Sequence, residues 1–308
     1  MRGWRTAAVV MTVSTPATAE TIRVTGMLPG ATSEAPLLRT IAVARFGGPD
    51  GDAVAGAIGA RLAQADDEPR PFFDLVARPA AAEGVIDGQA SVDISESSYT
   101  ETRKRCAEKV KKECVRHERY VVECLRRSVA LHGDWRLVRR RDDRVLFARP
   151  IAQEASDEAC EDSGTLSDVG STVDRMLNAV AAQVRVDIAP HRESWTPRIR
   201  EGRDGMSKMD ATAFKAAVAW TKSDVRAACD AFAAIEARAP HPSTRFNVAL
   251  CAESRGDFAQ AQAGYASVAT WIPGDADDAQ KGLRRVERLV AGERQMADVK
   301  RARSEARF

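Results

Sequence analysis

The sequence predicts an α+β or α/β unit, with a mixed sheet and packed helices, followed by an all-α region of helical repeats. Three observations carry this prediction. A strand–helix–strand succession opens the chain after residue 37. A long amphipathic helix, with Leu166, Val169, Val173, Met176, Leu177, Val180 and Val184 on one stripe, closes the first unit. From Asp210 onward the chain is alanine-rich with helical periodicity throughout.

The first element is a leader. Arg2 and Arg5 form a positive n-region, Thr6 to Thr15 a short apolar run, and Ala17-Thr18-Ala19 offers small residues to a signal peptidase. Cleavage is expected after Ala19, giving a signal peptide over 1–19. No cysteine follows the apolar run, so a lipid-anchored route is not supported. No later run of about 20 apolar residues is present to span a membrane. Losing Arg2 and Arg5 brings Lys+Arg down to the Asp+Glu count of 44. A neutral mature chain exerts no long-range pull on nucleic acid or anionic lipid.

Residues 20–36 carry Pro29, Gly30 and Pro36 among small polar residues and read as a linker. Leu37 to Phe46 reads as a buried strand that stops at Gly47-Gly48-Pro49. Asp52 stands as the N-cap of a helix reaching Gln64, with Val54, Ala57, Ile58 and Leu62 inward. Phe72 to Val76 is a second strand. Gly84 to Ile94 alternates Ala90, Val92 and Ile94 with polar neighbours, as a half-exposed strand does. Residues 95–119 are polar and densely charged, an excursion from the domain. Tyr120–Leu131 and Trp135–Phe147 read as two further strands, the second broken by a charged turn over Arg139 to Arg144. The stripe helix spans Thr165 to Val184, and a last short strand runs through Trp195. The α/β unit is therefore bounded at 37–196, a linker at 197–209, and the helical region at 210–308.

The helical region carries the most specific pattern. Gly256, Phe258, Ala261, Tyr265 and Pro273 have the mutual offsets of a tetratricopeptide repeat, with Val248 and Ala249 on the preceding helix. Pro240 lies 33 residues before Pro273, with Ala228, Phe232 and Ile235 at nearly the same offsets. Two TPR-like units are expected, capped by a helix over Ala279–Met296 and ending in a charged tail from Lys300 to Phe308. Alanines let such helices approach closely, and aromatics fill the groove between them. Phe246, Asn247, Leu250 and Glu253 are the candidates for a peptide-binding groove, beside the plainer reading that the pair only packs.

Six cysteines in an exported chain suit a disulfide framework. They divide as four plus two. Cys229 and Cys251 fall on neighbouring antiparallel helices and can bond. Cys106, Cys114, Cys124 and Cys160 allow three connectivities. A zinc site fits poorly, because C-x7-C and C-x9-C spacings lack the close pair that presents two thiolates from one turn.

No sequence pattern commits the chain to catalysis. His117, His132, His191 and His241 are scattered. H-E-x-x-H, G-x-S-x-G and P-loop motifs are missing. Gly47-Gly48 with Gly51 lacks the G-x-G-x-x-G order of a dinucleotide site. Asp142-Asp143 and Asp275 to Asp278 read as a hairpin tip and a helix N-terminus. No cofactor and no metal are expected.

Ile41-Ala42-Val43-Ala44-Arg45-Phe46, the helix ending Gly59-Ala60-Arg61-Leu62-Ala63-Gln64, and Phe72-Phe73-Asp74-Leu75-Val76-Ala77-Arg78 together resemble the opening of curli-secretion-lipoprotein-like domains. Those domains are similar to the outer-membrane activators of penicillin-binding proteins and to the N-terminal domain of the Tol–Pal translocation protein. Gly84 to Gly88 and the charged turn near residue 142 also fit. The resemblance covers about 40–190. It implies helices packed on a mixed sheet and a role in contacting envelope proteins, and it supplies no functional residue. The lipidation cysteine is missing and the four-cysteine insertion is extra.

The expected function is that of an exported, non-enzymatic binding or scaffold protein of the bacterial envelope, periplasmic or outer-membrane-associated. Its partners would be envelope proteins or peptides. An oligomeric secretion-channel or assembly component is the first alternative, with 84–94 and 120–147 as its only candidate strands. A cell-wall-acting enzyme is the second.

Overall fold

A computed structural model describes residues 20–66, 69–271 and 276–305. The leader over 1–19, the repeat position Pro273 and the end of the charged tail lie outside the described residues. The fold is a mixed sheet with helices plus an all-α region, as the sequence predicts. Two compact units divide it: Met27–His191 with Ala291–Phe308, and Arg192–Val290 with the segment before Met27.

The α/β unit is built on a five-stranded sheet. In chain order its strands are β2 (Thr40–Val43), β3 (Asp74–Leu75), β4 (Gly84–Val110), β5 (Glu113–Arg139) and β6 (Arg144–Cys160), arranged β3-β2-β4-β5-β6. β2 runs parallel to both β3 and β4, and β4-β5-β6 form an antiparallel meander. Period-two alternation sends Ile41, Ile86 and Leu137 to one face, and Ala42 and Val85 to the other. Helices α1 (Gly51–Leu62) and α2 (Val169–Ile188) cover the first face. Val54, Ile58, Leu62, Val180, Val184 and Ile188 pack there against Leu131, Trp135 and Ile151. Gly48 turns the chain from β2 into α1 with φ +84°. A Cβ at that position would lie 2.3 Å from the Ala90 carbonyl oxygen, so glycine is required.

Several boundaries differ from the sequence reading. The 20–36 linker contains strand β1 (Val24–Leu28), which pairs with β7 (His191–Trp195). Asp52 lies inside the first turn of α1 and pairs with Arg45 at 3.1 Å. The N-cap is Asp50, whose carboxylate accepts from the Val92 backbone N–H at 2.7 Å. α2 starts later than expected because the Asp168 carboxylate accepts from the Ser171 N–H at 2.7 Å and fixes the first turn.

The largest correction concerns 95–147. The charged excursion over 95–119, given no elements from sequence, is strand: it completes β4, turns, and begins β5. The expected break between Tyr120–Leu131 and Trp135–Phe147 is not there, while the charged turn expected over Arg139 to Arg144 is. Tyr120 through Arg139 is continuous strand, and the turn falls at 140–143.

In the helical unit, α3 (Lys208–Trp220), α4 (Val225–Arg238), α5 (Pro242–Ser254) and α6 (Phe258–Trp271) follow one another, then α7 (Ala276–Glu305) begins. Ser207 and Asp224 cap α3 and α4 by accepting from the N–H three residues on, and His241 Nδ1 caps α5 with Pro242 in its first turn. Phe214 and Phe232 pack 5.5 Å apart, and Phe246 and Tyr265 5.4 Å apart. α7 is longer than the expected capping helix, so residues 300–305 are helical.

Candidate functional site: a disulfide-stapled arm

β4 and β5 are each 27 residues long. Only their proximal parts reach the core: Ile86 and Ala90 on β4, and Val129, Leu131, Trp135 and Leu137 on β5. Beyond them the two strands continue, with β6 beside β5 as far as Cys160. None of residues 93–121 is buried. At about 3.3 Å per residue, the β4 stretch beyond Val92 amounts to roughly 60 Å of strand.

Two disulfides hold this arm. Cys124 on β5 bonds to its direct register partner Cys160 on β6, with Cα atoms 4.0 Å apart. Cys106 bonds to Cys114 across the tip, where the β4–β5 register shifts around Glu108. These bonds settle which of the three connectivities holds. The tip is the two-residue turn Lys111-Lys112, with φ +48° and +82°. Both central residues of such a hairpin turn are left-handed, a geometry that favours Asn-Gly. Two lysines adopt it here between strands already tied by a disulfide.

Between the staples the side chains form a charged ladder. On the face of the Cys124–Cys160 bond, the Tyr99 hydroxyl donates to Glu158 at 2.9 Å and Arg126 pairs with Glu158 at 3.2 Å. Arg103 reaches Glu101 at 2.9 Å and Asp162 at 2.5 Å, and the Tyr120 hydroxyl donates to Asp162. Arg105 pairs with Glu118 at 2.6 Å and lies 5.1 Å over the Tyr120 ring. Arg126 sits 5.1 Å over Tyr99 in the same way. On the other face Arg127 pairs with Glu96 at 2.7 Å. Hydrogen bonding from Tyr99 and then Arg126 holds the Glu158 carboxyl below its ordinary range, and the Tyr120 hydroxyl does the same for Asp162. Both tyrosines are pushed up, first by the hydrogen bond each gives its carboxylate.

Glu101, Cys124 and Cys160 bring ligand atoms close together. Both sulfurs are committed to one disulfide, so no thiolate is offered to a metal. The arm instead presents paired charges, exposed Ile94, Val110, Val115 and Val121, and open backbone edges. β4 pairs with β2 only through Val85 and Ile86 and their neighbour Gly84, so its outer edge is unpaired along the arm. Such an arrangement recognises surfaces by charge register and strand edge.

The remaining candidates lie in the helical unit. Cys229 bonds to Cys251, the pair the sequence singled out. Phe246, Asn247, Leu250 and Glu253 are all buried. Arg200 lies 4.9 Å over Phe246, and the Asn247 amide exchanges two hydrogen bonds with the Arg200 backbone, at 2.8 and 2.9 Å. Glu253 accepts from the Tyr265 hydroxyl at 2.7 Å and from Arg285 Nη2 at 2.6 Å. These four side chains are thus occupied within the unit rather than displayed on it. The arm residues Tyr99, Arg103, Tyr120, Arg126, Glu158 and Asp162 were not singled out from sequence. Their signal is the alternation of charge and aromatic at every second residue over 99–105 and 116–120.

With all six cysteines paired, the chain fits the disulfide-bonded proteins of oxidising compartments, as an exported protein does. Among the described residues no helix is long and apolar enough to cross a membrane. No family model matches the chain, and no curated protein matches it. One solved structure similar to it is a dodecamer of PelC, in a leucine-to-methionine variant, from Paraburkholderia phytofirmans. The identity is 12% and the TM-score 0.24, over 54% of this chain and 98% of that one. At that score the likeness says nothing of what this chain does.

Proposed function

We propose that this chain is an exported, non-enzymatic binding and scaffold protein of the bacterial cell envelope, and that the stapled arm is the surface it offers to envelope proteins. One observation carries the reading. A sheet extension with no buried residue over 93–121 contributes nothing to the core, yet two disulfides and a side-chain ladder hold its shape. Order maintained where the fold does not require it is order that another molecule uses. The leader over 1–19 and the resemblance to curli-secretion-lipoprotein-like and related domains support the envelope assignment. The alanine-rich antiparallel helices α3 to α6 support TPR-like packing.

The test shortens the arm. Replacing 103–120 by an Asn-Gly turn keeps the Cys124–Cys160 bond and joins register partners Thr102 and Val121. In parallel, a photo-crosslinking residue is placed at Val115 on the tip or at exposed Arg301 on α7. The tip probe should capture an envelope protein that the Arg301 probe does not, and the shortened chain, which lacks Val115, should no longer co-purify with that protein. Equal capture from both positions, or a complex that survives shortening, removes the arm from the function. An oligomeric assembly component is the second reading, favoured by the open β4 edge. Size-exclusion chromatography of the purified full chain separates the two, since only the second demands a multimer without any partner.

A further inference from the structure

Away from the arm, the α/β unit holds a pocket of about 440 Å³, part of it open solvent, lined by Arg39, Arg70, Pro71, Phe72, Asp74 and Arg303. Local structure brings these residues together. Arg39 precedes β2 and Asp74 begins β3, and the parallel pairing of Thr40 with Asp74 sets the two side by side. Arg70 and Phe72 lie on the segment entering β3. Arg303 arrives on the last turns of α7, where Nη2 donates to the Phe72 carbonyl at 2.7 Å and the guanidinium stacks 4.6 Å over the Phe72 ring.

Among the described residues, three guanidinium groups and one carboxylate line this pocket. Nearby Arg61 and Arg185 share one carboxylate, Asp66, at 2.7 and 3.3 Å, so they add to the positive charge around the pocket. Arg303 Nε is buried and has no hydrogen-bond partner. The Arg303 guanidinium is also held below its ordinary pKa by burial, against the pull of Asp74, with Arg70 and Arg39 adding to the lowering. A buried N–H donor among like charges costs free energy unless an acceptor completes it.

We propose that this pocket binds a phosphate-type dianion between Arg39, Arg70 and Arg303, with Phe72 as its floor. An excess of guanidinium over carboxylate groups favours an anion, and guanidinium forks suit tetrahedral oxyanions. The group can come as free phosphate or as the head of a phosphomonoester, and the pocket chemistry is the same for both.

Isothermal titration calorimetry of the full oxidised chain tests this at constant ionic strength, with inorganic phosphate, glycerol 3-phosphate and acetate as probes. Saturable one-site binding of at least one phosphate probe, and none of acetate, is expected. The tighter of the two probes identifies the source. Arg70→Gln and Arg39→Gln should each weaken binding about tenfold, the loss of one charge-assisted contact. Both side chains are exposed, so folding is not at risk as it is with Arg303. Arg140→Gln, an exposed charge elsewhere, should change affinity less than about twofold, the scale of a screened distant charge. No saturable heat, acetate binding as tight as phosphate, or equal weakening by Arg140→Gln overturns the proposal.

Discussion

Replacing Cys124 and Cys160 together by alanine should destabilise the α/β unit globally, whereas replacing Cys106 and Cys114 should loosen only the tip. The first bond closes a sequence separation of 36 residues and the second one of 8. Loop-closure entropy gives about 4 kcal/mol for the first and about 2.5 kcal/mol for the second. These values apply in full only where the native state stays ordered without the bond. Near Cys124 it does, because β5 and β6 run on into Val129, Leu131 and Ile151 in the core. At the tip no buried residue keeps order, so the chain freed by cutting Cys106–Cys114 gains entropy in native and unfolded states alike, and the difference largely cancels. At about 2–4 °C per kcal/mol for a unit of this size, the Cys124/Cys160 variant should melt about 8–16 °C lower. The Cys106/Cys114 variant should stay within about 2 °C, equivalent to a ΔΔG of at most about 0.5–1 kcal/mol, while amide exchange accelerates over 103–118. Thermal denaturation followed by far-ultraviolet circular dichroism, with exchange read by mass spectrometry, measures both. Equal melting shifts in the two variants, or none in either, would refute the division of the arm into an anchored base and an unsupported tip.

Two further expectations concern charge. In the helical unit, Glu253 is fully buried against Arg285 and Tyr265, so Glu253→Ala should cost about 3–5 kcal/mol by stranding a buried guanidinium. Glu253→Met with Arg285→Met should recover most of that loss in urea denaturation; a double variant no better than the single one would show that the ion pair is not what Glu253 supplies. In the arm, Asp157, Glu158 and Asp162 are all depressed in the folded state, by hydrogen bonds from Ser167, Tyr99 and Tyr120 respectively. Depressed folded pKa values mean stability that is present above the unfolded carboxylate values, about pH 4, and lost as pH falls through the folded values. Limited proteolysis with pepsin should therefore cut the arm increasingly below pH 4, and arm cleavage independent of pH from 4 to 2, after correction for protease activity, would contradict the ladder.

What the sequence made legible follows from burial. The β-branched run around Ile41, the periodic Val54, Ile58 and Leu62, and the α2 stripe all face one core, so hydrophobic spacing reported them. The arm reported nothing of the kind. Both of its faces are solvated, so its strands lack apolar alternation, and the turn Lys111-Lys112 lacks the glycine or asparagine that announces a hairpin. Cross-strand pairs such as Arg126–Glu158 become visible only once the register is known. β1 was hidden for another reason: Pro29, Gly30 and Pro36 mark its surroundings as linker, and the strand itself carries Gly26, where a Cβ would fall 2.3 Å from the Leu289 side chain, so the small residue serves packing. Cys229–Cys251 could be paired from helix order, whereas the other four cysteines needed the register of β4, β5 and β6.

The last turns of α7 belong to the α/β unit, where Gln295 bonds to the Gly30 N–H and the Thr32 carbonyl and Arg303 caps the Phe72 loop. A chain grows from its N-terminus, so β2 through α2 are made long before the helix that completes them. Throughout synthesis of the repeats, the α/β unit waits with one side unfinished. Premature termination before Gln295 would then strip these contacts from a unit encoded mostly in the first half of the message.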